Sequence, residues 1–281
     1  MPLLHSVAEL RAAVRPWRQR GERIALVPTM GNLHAGHLKL VEEAHARAQR
    51  VVVSVFVNPL QFGPSEDFRS YPRTREADRQ KLQEARADLL FAPSVKEMYP
   101  HGQGEVTRVT VPGLSEILEG ESRPGHFSGV ATVVTKLFNI AQPDVALFGK
   151  KDYQQLLVIR RLADDLSLPI EIVDVPTMRE ADGLALSSRN QYLTAAEHEQ
   201  APLLHATLEK TVAAVRQGQR NFESLEAHAI QALSVCMRPD YVAIRDAQTL
   251  ARPQAEASGV VVLAAAWLGK ARLIDNIDFS L

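Results

Sequence analysis

Four apolar residues, Ile24-Ala25-Leu26-Val27, run into Pro28-Thr29-Met30-Gly31-Asn32-Leu33-His34-Ala35-Gly36-His37 and then into a helix-like segment over residues 38–50. A buried strand that turns through glycine into a helix delivers backbone N–H groups and the positive end of the helix dipole to one point. His34 and His37, three residues apart at the start of that helix, project from the same side. Together these groups suit a polyphosphate. Two histidines in a loop can also be surface decoration or a metal pair, but neither alternative needs the glycines or the strand–turn–helix setting.

The same alternation continues through the first two-thirds of the chain. Val51-Val52-Val53-Ser54-Val55-Phe56-Val57 is a β-branched run suited to a strand buried on both faces. A Pro/Gly-containing loop over 58–75 leads to a charged helix near 76–87 and a short strand at 89–92. Helices are predicted over 127–141 and 153–166, and strands over 144–148 and 170–175. Repeated β–α–β units imply a parallel sheet with right-handed crossovers, an α/β Rossmann-like layer structure whose ligands sit beyond the carboxyl ends of the strands. Pro176 marks a boundary: residues 1–176 read as the sheet domain and 177–281 as a smaller C-terminal α+β domain. In the second, amphipathic helices are predicted near 195–217 and 222–237, then strands at 240–245 and 260–268 and a segment at 271–279.

Composition removes several classes of function. With 46% hydrophobic and 23% charged residues the chain is ordinarily globular. A formal net charge of −1 gives no electrostatic case for a nucleic-acid or membrane partner. The single cysteine, Cys236, excludes an internal disulfide, fits a reducing compartment and reads as a small apolar residue. The apolar run at 260–268 is too short to span a bilayer, which needs about 20 residues. Arg11, Arg15 and Pro16 interrupt any secretory h-region, so a cytoplasmic location is expected.

Three further segments follow predicted strand ends. Asn58 and Gln61, in Phe56-Val57-Asn58-Pro59-Leu60-Gln61-Phe62, offer paired amides able to fix a small polar substrate without adding charge, although Asn-Pro is also a common turn. Tyr71-Pro72-Arg73 and Met98-Tyr99-Pro100 read as structural. In Phe148-Gly149-Lys150-Lys151-Asp152-Tyr153-Gln154-Gln155, a lysine can neutralise phosphate and Asp152 can cap a helix or hold a ribose hydroxyl, with Gln155 on the same helical side. The bland reading is a solvated helix start. Leu186-Ser187-Ser188-Arg189-Asn190 sets adjacent hydroxyls beside an arginine capable of bidentate phosphate binding, or is an ordinary loop.

In this order and at these spacings, the segments resemble the pantoate–β-alanine ligase family along nearly the whole chain. The resemblance is carried by PTMGNLHAGH at 28–37, FVNPLQF at 56–62, GHFSGVATVVTKLFNI at 125–140 and ALFGKKDYQQL at 146–156. It continues with VPTMREADGLALSSRNQYL at 175–193 and RLIDNI at 272–277. It implies a nucleotidyltransferase-type H-x-G-H protein that condenses (R)-pantoate with β-alanine, using ATP with Mg²⁺ and passing through pantoyl adenylate. It further implies an ATP site formed by Met30, Gly31, Asn32, Leu33, His34, Ala35, Gly36, His37, Gly149, Lys150, Lys151, Asp152, Met178, Leu186, Ser187, Ser188 and Arg189. Of these, His37, His34, Lys151 and Arg189 would act in catalysis, and Gln61 and Gln155 would orient pantoate, with Gln61 also near β-alanine. No dedicated protein ligands for a metal are implied, and a homodimer is expected. The chain departs from the family's usual Gly-Glu-Lys-Asp at Lys150, from Met-Ser-Ser-Arg at Leu186, and from a small apolar residue at Asn32. A nucleotidyltransferase that stops at an adenylylated or cytidylylated product would carry the same loop, and a nucleotide-sensing module would need no second-substrate pocket.

Overall fold

A computed structural model of the chain describes residues 1–64, 66, 68–254 and 257–281, so the loop expected over 58–75 is described except at positions 65 and 67. In chain order the elements are β1 (Leu3–Leu4), α1 (Val7–Gln19), β2 (Ile24–Thr29), α2 (Ala35–His45), β3 (Arg50–Val55), α3 (Arg75–Glu84) and β4 (Leu89–Phe91). Next come α4 (Val95–Met98), α5 (Glu119–Ser122), α6 (His126–Ala141), β5 (Val145–Gly149), α7 (Tyr153–Asp165) and β6 (Glu171–Val175). The chain ends with α8 (Ala195–Gln200), α9 (Leu203–Arg216), α10 (Phe222–Leu233), β7 (Arg238–Asp246), β8 (Gly259–Leu268) and β9 (Ala271–Ser280). Single 3-10 turns lie at Pro59–Gln61, Lys150–Asp152 and Asn190–Tyr192. Two compact units result, Met1–Lys150 with Gln154–Pro176, and Lys151–Tyr153 with Thr177–Leu281.

The first unit is the expected α/β layer structure: a parallel sheet in the order β1-β4-β3-β2-β5-β6. Its central strands β2, β3 and β5 are apolar over most of their length because both faces are covered there. Leu26 and Val52 join a core with α1, α6 and α7, whereas Ala25, Val27, Val51 and Val53 join one with α2 and α3. The strand order reverses at β2, whose chain successor β3 lies on one side and β5 on the other. β2 pairs with β3 along its full length, from Ile24↔Arg50 to Thr29↔Val55. With β5 it pairs only at Ala25↔Val145 and Leu26↔Ala146, although the strands run on to Thr29 and Gly149. Their carboxyl ends therefore part at the switch point, where doubly wound sheets bind ligands.

The second unit is an antiparallel sheet, β7-β8-β9, cored by α9 and α10 through Leu204, Leu208, Val212, Leu225 and Leu233. Several elements differ from the sequence expectation, among them the short β1, α4 and α5, which the sequence reading did not include. The single helix predicted over 195–217 is α8 and α9, because Pro202 stands at the cap of α9 and cannot continue the α8 hydrogen-bond ladder. Helix α1 has no counterpart in the sequence reading. Its inward face is narrow, with Leu10 and Val14 the buried residues, and Pro16 and the arginines obscure the period.

Candidate active site

The loop between β2 and α2 is built as the sequence suggested, and the two histidines are its architecture. His34 caps α2: its Nδ1 accepts the Gly36 N–H at 3.2 Å, while the His34 N–H donates to Nδ1 of His37 at 3.3 Å. The rings lie 4.1 Å apart at 47°. A ring nitrogen that accepts a backbone N–H carries no proton, so in the neutral imidazoles the hydrogen is assigned to Nε2 of both rings. Each ring thus carries its N–H on Nε2 at the amino end of a helix, a setting that favours anions. Gly31 sits at φ +85°, and a Cβ there would meet Val55 Cγ1 at 3.0 Å and Asp78 Oδ2 at 3.1 Å. Asn32 is left-handed too, at φ 52°, a conformation asparagine tolerates better than an apolar side chain.

Sequence reasoning missed what holds this loop. Asp78 on α3 is buried, and its two oxygens accept the N–H groups of Asn32 (2.9 Å) and Leu33 (2.8 Å). One turn on, Lys81 Nζ donates to the Leu33 carbonyl at 2.6 Å. In sequence, an aspartate in the first turn of a helix looks like ordinary dipole complementation.

Beyond β3, Asn58 and Gln61 form the expected amide pair. Tyr99 Oη donates to Asn58 Oδ1 at 2.7 Å, which turns Asn58 Nδ2 toward Gln61 Oε1 (3.1 Å) and the Gly129 carbonyl (3.1 Å). Gln61 Oε1 is therefore an acceptor for Asn58, and its Nε2 lies 3.1 Å from Met30 Sδ. Gly129 on α6 is obligatory, since a Cβ would stand 2.2 Å from the Leu60 carbonyl oxygen. His126 donates Nδ1–H to the Gln61 carbonyl (2.8 Å), and Arg123, paired to Glu66 at 2.7 Å, faces its Nε2 at 3.1 Å. Burial, reinforced by the Arg123 charge, pulls the His126 pKa down to about 4, so this ring is neutral at physiological pH. Tyr99, read from sequence as structural, thus orients the amides, and no sequence signal marked it.

After β5 the candidates separate. Lys150 lies 3.4 Å from Asp174 on β6, which also binds Arg160. Burial raises the Asp174 pKa, but the Arg160 and Lys150 charges outweigh it and hold the carboxyl below its usual range. The unusual lysine thus stands on an acidic partner. Gly149 has open space where a Cβ would be. Asp152 is exposed and Lys151 half-buried. Gln154 is buried and structural, donating to the carbonyls of Leu114 and Ile117 at 2.7 Å each, whereas Gln155 stays half-exposed.

In the second unit, residues 178–186 form a small hairpin closed by the Arg179↔Ala185 bridge and by Leu186 N–H donating to the Met178 carbonyl at 2.9 Å. Met178 is exposed. Directly after the hairpin, Ser187 Oγ accepts the Arg189 N–H at 3.2 Å, turning the chain so that Arg189 opens the turn at Asn190–Tyr192. Among the described residues, the one cluster with metal-ligand spacing is Glu180, Asp182 and His198. It is otherwise engaged: His198 pairs with Glu180 at 3.3 Å and Asp182 accepts the Leu184 N–H at 3.0 Å.

The family model for pantoate-beta-alanine ligase matches residues 2–278. The chain belongs to this family. Pantothenate synthetase of Azotobacter vinelandii is 58% identical over 280 residues, 99% of each chain, and that of Thioalkalivibrio sulfidiphilus is 55% identical over 282 residues, 100% of this chain and 99% of the relative. Pantothenate synthetase from Thermus thermophilus superposes with a TM-score of 0.92 at 50% identity over 99% of both chains. The Francisella tularensis pantoate-beta-alanine ligase, complexed with beta-gamma ATP and beta-alanine, gives 0.78 at 35% identity over 99% of this chain and 97% of its own. These matches do not favour the alternative of a nucleotidyltransferase without an amide-forming step. Among the described residues, no helix is long and apolar enough to cross a membrane.

Proposed function

We propose that this ligase works in two half-reactions. A carboxylate oxygen of (R)-pantoate attacks the α-phosphorus of ATP, forming a C–O–P link as the bond to pyrophosphate breaks. The β-alanine amine then attacks the activated carbonyl, AMP leaves, and the amine's surplus proton passes to solvent, giving pantothenate. The observation that carries this reading is the juxtaposition at the switch point. A helix N-terminus with two Nε2–H donors follows β2, and a charge-neutral amide pair follows the adjacent β3.

Each group has a distinct physical task. In the first step an anion approaches a polyanion, so positioning and preorganised positive potential do the catalysis. Nε2 of His37 donates to the phosphoryl oxygens as charge builds, with His34 beside it. Residues 30–36 supply backbone to the nucleotide, Lys151 and Arg189 counter its charge, and Ser187 and Ser188 add hydroxyl donors. Met178 and Leu186 offer apolar surface to adenine, and Gly149 and Asp152 complete the nucleotide contacts. Lys150 joins the nucleotide site from its pairing with Asp174 and adds to the local positive potential. Gln61 and Gln155 hold pantoate, with Gln61 near the incoming amine.

Mg²⁺ enters as part of the substrate MgATP. The donors at residues 30–37 suit phosphate, and Glu180, Asp182 and His198 are engaged with one another and with the backbone. Family membership supports a homodimer, to be checked by sedimentation, and composition supports a cytoplasmic enzyme. The test is product stoichiometry. AMP, pyrophosphate and pantothenate should form one to one to one, and only with all three substrates present. AMP release without amide formation would support the nucleotidyltransferase alternative instead.

A further inference from the structure

The segment RLIDNI at 272–277 has no part in the chemistry above, yet it puts two polar residues, Asp275 and Asn276, inside the second unit. Both are buried, at 3% and 5% exposure, in a strand whose neighbours Ala271, Leu273 and Phe279 belong to the apolar core. β9 pairs with β8 along its whole length, with Asp275 opposite Ala264 and Asn276 opposite Leu263. Successive strand residues point to opposite faces, so this dipeptide reaches in two directions from a rigid ladder. Buried polar groups of this kind are costly unless every one is matched.

Their partners are informative. Asp275 receives Arg179 in a two-pronged pair, at 2.6 and 2.9 Å, with His205 Nδ1 3.4 Å from the same carboxylate. Burial pushes its pKa up, but His205 and Arg179 outweigh this and keep the carboxyl below its usual range. Arg179 also donates to the Gly183 carbonyl at 3.1 Å, so the fork clamps both limbs of the 178–186 hairpin, from which residues 187–189 emerge. Gly183 is at φ +97°, where a Cβ would stand 2.9 Å from His205, so the hairpin seats in one way. On the other side, Asn276 Nδ2 donates to the main-chain carbonyl of Lys151 at 2.8 Å.

We propose that Asp275 and Asn276 are positioning residues: through Arg179 and the Lys151 carbonyl they hold the Ser187-Ser188-Arg189 loop and Lys151 in one register for gripping a triphosphate. Two adjacent residues of a paired strand are a fixed distance apart, so neither phosphate-directed group can shift against the other without breaking a buried bond. The proposal rests on the assignment of Lys151 and Arg189 to ATP.

The test is a cycle of Asn276→Ala and Lys151→Ala, reading KM for ATP, KM for pantoate and the thermal midpoint. Loss of one hydrogen bond should raise KM for ATP about tenfold in Asn276→Ala. KM for pantoate should not change, and Asn276→Ala should cost nothing further in the Lys151→Ala background. Asn276→Asp, which keeps the shape but cannot donate, should match the alanine. Arg179→Lys keeps the charge but loses the fork, and should also raise KM for ATP. Asp240→Asn, which breaks an exposed pair with Arg272 on the same strand, should leave KM for ATP unchanged. Additive losses in the double variant, or a lower thermal midpoint with unaltered kinetics, would overturn the proposal alone. An unaltered KM for ATP in Lys151→Ala would overturn the nucleotide assignment beneath it as well.

Discussion

Two buried aspartates do comparable work in different ways. Asp78, 1% exposed, spends both oxygens on backbone N–H groups of the loop at 30–34, which lies 46 residues earlier in the chain. Asp275, 3% exposed, spends its oxygens chiefly on the Arg179 guanidinium, 96 residues away. The difference follows from the sheets. In a parallel sheet every strand delivers its following loop to the same edge, so Asp78 has only to shape a loop already in place. The 178–186 hairpin is no part of the antiparallel meander β7-β8-β9 and precedes it by three helices, so a long-range ion pair ties it to the strand.

The largest effect should come from the loop itself. His37→Ala removes one preorganised donor to developing phosphate charge and the acceptor for the His34 N–H, and should slow adenylate formation about 10²–10³-fold with the fold retained. Normal single-turnover rates would end the role given to His37. Next, Asp78→Asn presents an NH₂ group to one of two buried N–H donors; leaving such a group unpaired costs about 1–3 kcal/mol. KM for ATP should rise about 10–100-fold with a lower thermal midpoint. Unchanged ATP kinetics would mean that the loop holds its shape without the acid.

Gln61→Ala should raise KM for pantoate about tenfold and leave ATP binding intact, since it removes an amide held by Asn58 and not a phosphate donor. Direct titration showing ATP binding lost and pantoate binding kept would reverse the assignment. The last effect is one of stability and is confined to acid pH. His126 has a folded pKa of about 4 against an ordinary 6.5, so the unfolded chain binds its proton first as the pH falls. Its contribution is fully present above pH 6.5 and is lost between 6.5 and 4, about 3 kcal/mol in all. Denaturant titrations of wild type and His126→Gln should differ in slope against pH across that window. Parallel profiles would place the acid sensitivity elsewhere.

What the sequence disclosed follows the same division. The 30–37 loop was legible because its parts are contiguous: strand, glycine turn and helix cap lie within one stretch. The parallel sheet was legible from alternating apolar runs. Asp78 was not, because a carboxylate in the first turn of a helix looks the same whether it faces water or a loop. Tyr99 and His126 were hidden because their partners, Asn58 and the Gln61 carbonyl, lie 41 and 65 residues away. The break at Pro202 was missed because the amphipathic period runs through it. Asp275 and Asn276 stood in a segment recognised by family resemblance, yet nothing local said what they hold.

The central claim is that pantoate is activated on the enzyme before the amine arrives. Exchange of labelled pyrophosphate into ATP, measured with the enzyme, ATP and pantoate but no β-alanine, tests it most directly. Reversible adenylate formation predicts exchange that requires pantoate and is nearly abolished in His37→Ala. No exchange without β-alanine, from an enzyme that makes pantothenate when it is added, would contradict the two-step account.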